Sequence, residues 1–238
     1  MNKNWSQISK KCLKENKLLI SKKLSIHVFG NVSLRLDKNH FVIKPSGAKL
    51  EKINPAKLPI VNIQSEQKVS GDLKPSSDTL THLEIYKKFD SIKSIAHSHS
   101  MYATSWAQAG KSIPLLGTTH ADHWEKEIPI VNFISKNKVK NYEKNTGKLI
   151  IDCLRKNKLD IYKNPGIIVS GHGPFAWGNT YESAVLNLEL LEYVSKLAYK
   201  SIEIGIKKMI PKYISNKHYQ RKHGKNAYYG QNKSKNNN

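Results

Sequence analysis

The chain has 238 residues, 38% hydrophobic and 24% charged, a size and mix that suit one substantial hydrophobic core. Two cysteines exclude a disulfide scaffold, no apolar run approaches the roughly 20 residues of a membrane span, and the start MNKNWSQISKKC lacks a signal-peptide pattern, so the cytoplasm is the expected location. The formal charge of +22 suggests a nucleic-acid partner, but 37 of the 40 basic residues are lysine, accompanied by 21 Asn and 24 Ile. Bidentate recognition of bases and phosphates favours Arg, whereas Lys, Asn and Ile share A/T-rich codons; the charge therefore reads as composition, with no nucleic-acid and no membrane partner expected.

From Trp5 to Leu24, the residues Trp5, Ile8, Cys12, Leu13, Leu19 and Ile20 recur at helical spacing and predict an amphipathic helix. HVFGNVSLRL, FVIKPSG and LPIVNI are short β-rich runs broken by Gly, Pro, Asp and Asn, and read as strands. PSSDTLTHLEIYKKF predicts a helix with Ser77, Asp78 or Thr79 as its cap. SIKSIAHSH predicts a strand, and MYATSWAQAG a short helix ended by Gly110. IPLLG and IPIVNF are strand-like, Tyr142 to Asn157 helical, and GIIVSGH a buried strand. Asn179 or Thr180 can cap a long helix reaching about Gly205, and a last helix or arm is expected near Ile214 to Tyr229. No internal repeat or linker interrupts this order, so the chain reads as a single α/β domain over residues 1–231 with a disordered Lys/Asn-rich tail, 232–238.

The sharpest local feature is His97-Ser98-His99 at the end of an apolar strand. Residues i and i+2 of a strand face one side, so both imidazoles can reach one ion; two histidines at a strand end can equally form a polar rim. His172, between two glycines, follows another apolar strand. Three imidazoles from two strand ends are the usual protein share of a catalytic Zn²⁺ site. Asp78 offers a fourth ligand or a helix cap. His120, His123, His218, His223 and Asp122 are further candidates that spacing alone does not rank. Lys44, Ser46 and Gly47 in KPSG, the pair Gly30-Asn31, and Ser76-Ser77 at a helix start supply small donors for an anion. Neither a Walker A sequence nor a GxGxxG is present, so no nucleotide cofactor is indicated.

The motifs GNVS (30–33), IKPSG (43–47), KPSSDT (74–79), HSHSMYATSWAQAG (97–110), LGTTHAD (116–122), HGPFAWG (172–178) and NKHYQRKHGKNAYYGQ (216–231) together carry a resemblance. The chain resembles the L-ribulose-5-phosphate 4-epimerase branch of the class II aldolase/adducin family, from about Trp5 to Gln231. The resemblance implies a three-layer αβα domain with a central, mostly antiparallel sheet. It implies an isomerase with one Zn²⁺ per subunit, a sugar-phosphate substrate, and a homotetramer with active sites between subunits. The ligands would be His97, His99 and His172, with Asp78 as a further one. Gly30, Asn31, Ser46, Gly47, Ser76 and Ser77 would contact phosphate and sugar, with Lys44 nearby. Asp122 and Tyr229, the latter from a neighbouring subunit, would be the acid/base pair, and His218 would assist.

The chain departs from the family pattern after Asp122, where HWEKEIPIVN replaces an aromatic loop, and at Gly171, where a serine is expected; nothing is carried over onto 135–146. Two other readings share the same motifs. A class II sugar-phosphate aldolase would use the same zinc chemistry, but that branch resembles this chain less, having Glu where Asp78 stands. A non-catalytic interaction module would have no need of three histidines.

Overall fold

The computed structural model describes residues 3–225, 227 and 228. In chain order its elements are α1 (Lys3–Ser21), β1 (Asn31–Arg35), β2 (His40–Ile43), β3 (Ile60–Asn62), β4 (Lys68–Ser70), α2 (Thr79–Lys88), β5 (Ser94–His97), α3 (Met101–Gln108), α4 (Thr118–Ala121), β6 (Ile130–Val131), α5 (Tyr142–Lys156), β7 (Gly166–Val169), β8 (Gly173–Gly178), α6 (Ser183–Ile204) and α7 (Lys212–His223). The strands form one sheet in the order β4-β3-β2-β1-β5-β8-β7-β6. Every pairing is antiparallel except β6 with β7. The expected three-layer αβα architecture with a mostly antiparallel sheet is therefore the one observed.

Helices cover both faces of the sheet. On one face α1 lays Ile8, Cys12, Leu13 and Leu19 against Val32, Leu34 and Val42, joined by Ala184, Val185 and Leu188 of α6. Beside it, α3 and α6 pack Ala103, Trp106, Ala107, Leu191 and Val194 over Ile168. On the other face α2 and α5 bring Leu83, Ile85, Tyr86, Ile150 and Leu154 onto Phe41, Ile95, Phe175 and Trp177. Strand side chains alternate between the two cores with the period of two that a pleated sheet imposes.

β1 reads as a half-exposed strand, polar at Asn31, Ser33 and Arg35 and apolar at Val32 and Leu34. All five residues are buried. The polar row meets α2 rather than water. Asn31 Nδ2 donates to Asp78 Oδ2 at 2.7 Å. The Ser33 hydroxyl lies 2.7 Å from His82 Nδ1 and accompanies Tyr86, whose hydroxyl donates to the Ser33 carbonyl. Arg35 donates to the carbonyls of Tyr86, Phe89 and Ile92, at and just beyond the end of α2. A buried polar row is stable only when its groups find such partners.

Several sequence expectations need correction. IPLLG forms no strand; Ile113 makes a single bridge to Ile128, and IPIVNF contributes only the two-residue β6. Proline at 114 and 129 leaves too few donors for a longer ladder. GPFAWG, between two glycines, is the fully paired central strand β8, and the polar KVS is the edge strand β4. Neither Asn179 nor Thr180 caps α6; Glu182 holds that position. At the other end Gly205, with φ +96°, ends α6 as expected. Asp78 sits at the cap position of α2, yet its side chain makes no cap hydrogen bond. The expected last helix runs earlier than 214–229, as α7; Tyr229 and the tail 232–238 lie outside the described residues. No helix among the described residues is long and apolar enough to cross a membrane.

The His82 contact sets a pH dependence. Burial depresses the His82 pKa to about 4 from an ordinary 6.5, with the charge of Asp78 acting in the opposite sense. Between those values the unfolded chain takes up a proton that the folded chain refuses. The stability is thus full above about 6.5 and falls as pH drops toward 4. The urea midpoint should decline over that window, and less steeply in His82→Gln, which keeps a partner for Ser33 but does not titrate. An equal slope in the variant would remove His82 as a cause.

Candidate active site

Three chain segments that are distant in sequence meet at one end of the sheet. β5 ends on His97, which is fully buried, and the turn that follows carries His99 outward. His172 comes from the tight turn between β7 and β8. One nitrogen from each of the three rings falls within 4.8 Å of the others. His97 Nε2 and His99 Nε2 are 3.1 Å apart. Asp78 Oδ2 stands 3.9 Å from His97 Nε2.

The protonation states follow from the surroundings. His97 Nδ1 faces the Pro174 carbonyl at 2.9 Å. A carbonyl only accepts, so Nδ1 carries the proton and Nε2 keeps its lone pair toward the cluster. Burial lowers the pKa of His97, and desolvation acts in the same direction on His99 and His172, so all three rings are neutral at neutral pH. For Asp78, burial works to raise the pKa, but His97, His172, His82 and the Asn31 hydrogen bond outweigh it and keep the carboxyl below its ordinary value.

Neutral imidazoles converging with a carboxylate are the donor set of a divalent metal. A tetrahedral ion with bonds of about 2.0–2.1 Å sets its ligand nitrogens about 3.4 Å apart, inside the span seen here. His172 Nδ1 is buried and has no hydrogen-bond partner among the described residues, a cost that bonds within an ion site would relieve. The residues present therefore fit a metal ion.

Beside the histidines lies a cavity of about 340 Å³, lined by Val28, Phe29, Gly30, Asn31, Lys44, Ser46, Gly47, Ser76, Ser77, Asp78, His99 and His172. The KPSG and KPSS segments, separate in sequence, pair through a bridge between Pro45 and Pro75. Reciprocal bonds from Ser46 N to the Lys74 carbonyl and from Ser76 N to the Lys44 carbonyl close it into one floor. Ser76 and Ser77 then sit just before α2, where Ser76 accepts from Thr79 N on its carbonyl and from Asp78 N on its hydroxyl. Lys44 is 5% exposed and anchored by a 2.7 Å bond to the Val28 carbonyl. Burial lowers its pKa and Asp78 opposes the shift.

Two glycines are required here. Gly30 has φ +72°, and a Cβ on it would stand 2.8 Å from the His97 carbonyl oxygen. Gly171, where a serine was expected, has φ +66°, and a Cβ there would meet the Phe133 ring at 2.6 Å. The positive φ is what favours glycine there, since Phe133 is an exposed side chain that can shift.

Asp122 and His218 come together, but not in this cavity. Asp122 ends α4 and is gripped by α7. Arg221 donates from Nε at 3.0 Å and from Nη2 at 2.7 Å, His218 Nδ1 lies at 3.2 Å, and His223 Nε2 reaches the Asp122 carbonyl at 2.8 Å. Burial works to raise the Asp122 pKa, but the bonds from Arg221 and His218 prevail and keep it ionised. Arg221 escaped sequence reasoning, although its spacing of three from His218 puts both on one helix face. Phe29 was also missed. It stacks on His99 with ring centroids 5.6 Å apart, and its only sequence signal is an aromatic residue directly before Gly30. His120 and His123 are outside the cavity; burial lowers both to a pKa of about 4.

The fold is shared with solved structures of low identity. An L-fuculose 1-phosphate aldolase superposes with a TM-score of 0.74 at 21% identity, over 90% of this chain and 95% of that one. YgbL from Escherichia coli, for which aldolase, epimerase and decarboxylase activities stand open, gives 0.72 at 20%, over 90% and 99%. A sugar-phosphate aldolase from Thermotoga maritima gives 0.65 at 18%, over 85% and 97%. Residues 10–199 match the class II aldolase and adducin N-terminal domain. With that match over most of its length, the chain belongs to the class II aldolase and adducin family.

Proposed function

We propose that this protein is a zinc-dependent 4-epimerase of the cytoplasm that interconverts L-ribulose 5-phosphate and D-xylulose 5-phosphate. The observation that carries the reading is the convergence of His97, His99, His172 and Asp78 at the edge of a cavity floored by Lys44 and serines. The KHGKNAYYGQ block and the aspartate of GTTHAD favour the epimerase branch over the aldolase branch.

C4 of the substrate has no acidic hydrogen, so its inversion runs through cleavage and re-formation of the C3–C4 bond. A bound divalent ion supplies Lewis-acid polarisation of the ketose oxygens. Ser46, Gly47, Ser76, Ser77 and Lys44 hold the phosphate, and Gly30 with Asn31 contacts the sugar. Anchored by its phosphate, the aldehyde fragment turns without escaping. One group removes the C4 hydroxyl proton as the bond breaks, and another protonates the new alkoxide on the opposite face. Asp122 and Tyr229 take these two roles. Asp122 lies outside its own chain's cavity, so this role requires sites formed between subunits of the homotetramer that the resemblance implies. His218 and Arg221 keep Asp122 anionic and aimed.

Metal loading provides the first check. The apoprotein should take up one Zn²⁺ per chain, and His97→Asn should lose both metal and activity; an unchanged metal content would sink the ligand assignment. Incubation of the zinc form with L-ribulose 5-phosphate should yield D-xylulose 5-phosphate, whereas free dihydroxyacetone and glycolaldehyde phosphate would reassign it as an aldolase. Tyr229→Phe should keep zinc and fold yet lose most turnover. Co-refolding it with inactive His97→Asn should restore part of the activity through mixed sites, and failure of complementation would contradict sites shared between subunits.

A further inference from the structure

His99 is the least supported of the three imidazoles. β5 ends at His97, and Ser98, His99 and Ser100 run without regular structure until α3 begins at Met101. The ring contacts of His99 are Phe29 and the other two imidazoles, and the residue is exposed. Its position therefore depends on how the backbone is held on either side. Upstream, β5 is locked between β1 and β8. Downstream, the first N–H groups of α3 have no partners within the helix, and Ser100 at the cap position makes no cap bond.

The missing cap comes from 92 residues away. Glu192, half-buried in the middle of α6, accepts from Tyr102 N at 2.9 Å, from Ala103 N at 2.8 Å and from the Ser100 hydroxyl at 2.8 Å. A carboxylate is the best acceptor for a helix start, because its charge strengthens each bond and faces the positive end of the dipole. The platform is firm. Leu191, Val194 and Ser195 beside it are buried, and Trp106 Nε1 of α3 donates to the Ser195 carbonyl at 3.0 Å.

We propose that Glu192 is the positioning residue of the metal-ligand turn. Reaching from α6, it clamps Ser100 and the start of α3, so that His99 is held against His97 and His172. It acts through the backbone and touches no reacting atom. The role rests on the metal-centre reading above. Without the carboxylate, two N–H groups and a hydroxyl lose their partner, the turn relaxes, and the His99 nitrogen leaves the others.

Cobalt(II) in place of zinc makes the geometry visible. Affinity is measured by competition with a chromophoric chelator, and ligand geometry by the visible ligand-field band. Glu192→Gln, nearly isosteric, should bind cobalt about tenfold more weakly with a diminished band, and Glu192→Ala more weakly still. Leu154→Ala on α5, in the core of the opposite sheet face and 3% exposed in the parent, should lower thermal stability while keeping the parent affinity and band. Parental affinity and band in Glu192→Gln overturn the proposal while leaving the metal reading intact. An equal loss in Leu154→Ala overturns it too, by reducing the effect to general destabilisation. A parent protein that binds no cobalt overturns the metal reading together with the proposal. If Glu192→Ala does not fold, Glu192→Gln decides.

Discussion

The polar row of β1 against α2 is the constraint on which the site depends. Asn31, Ser33 and Arg35 are buried on one face of a central strand, so each must find a partner or cost about 1–3 kcal/mol. The partners are spread along α2: Asp78 at its start, His82 and Tyr86 in its middle, and the carbonyls of Tyr86 and Phe89 at its end. A helix bonded at three levels cannot slide along the sheet. The position of Asp78 relative to His97, on the neighbouring β5, is thereby set to within a hydrogen bond. The same arrangement explains why Asp78 gives up capping its own helix: its carboxylate is directed to Asn31 and the histidines instead.

Burial does two jobs at the histidine cluster. It makes the imidazoles neutral, the form that binds a cation, and it keeps Asp78 dependent on its neighbours for stabilisation. The His97 ring is oriented by a group behind it, the Pro174 carbonyl, which selects its tautomer. The cavity beside the cluster is different in kind. It is lined by serines and glycines, with one anchored ammonium, Lys44. A cluster that fits a metal ion and a cavity lined by small polar residues thus lie side by side.

The large positive charge has little to do with this. Many lysines are on exposed helix faces, and some are spent on surface ion pairs, such as Lys87 and Lys144 on Glu66, that contribute little individually. The basic C-terminal segment is more specific. α7 does not fray into solvent but brings His218, Arg221 and His223 onto Asp122. Its charge stabilises a carboxylate, and its role is local.

Periodicity in the sequence was enough to determine the helices α1, α2, α5 and α6, the buried strands β5 and β7, and the glycine stops at 110 and 205. These follow from local physics: an apolar stripe, or a backbone conformation open to Gly. The three histidines were legible as a candidate set because they sit at, or within three residues of, the ends of apolar strands. What local physics does not reach was decided by the tertiary fold. β8 and β4 have no strand signature, since glycine, proline and polar residues there are held by ladder bonds to neighbours. The pairing of KPSG with KPSS, the stacking of Phe29 on His99, the clasp of Arg221 on Asp122 and the cap from Glu192 all join residues far apart in sequence. A carboxylate in an amphipathic helix looks the same in sequence whether it faces solvent or a distant helix start; only the packing of α3 against α6 distinguishes the two.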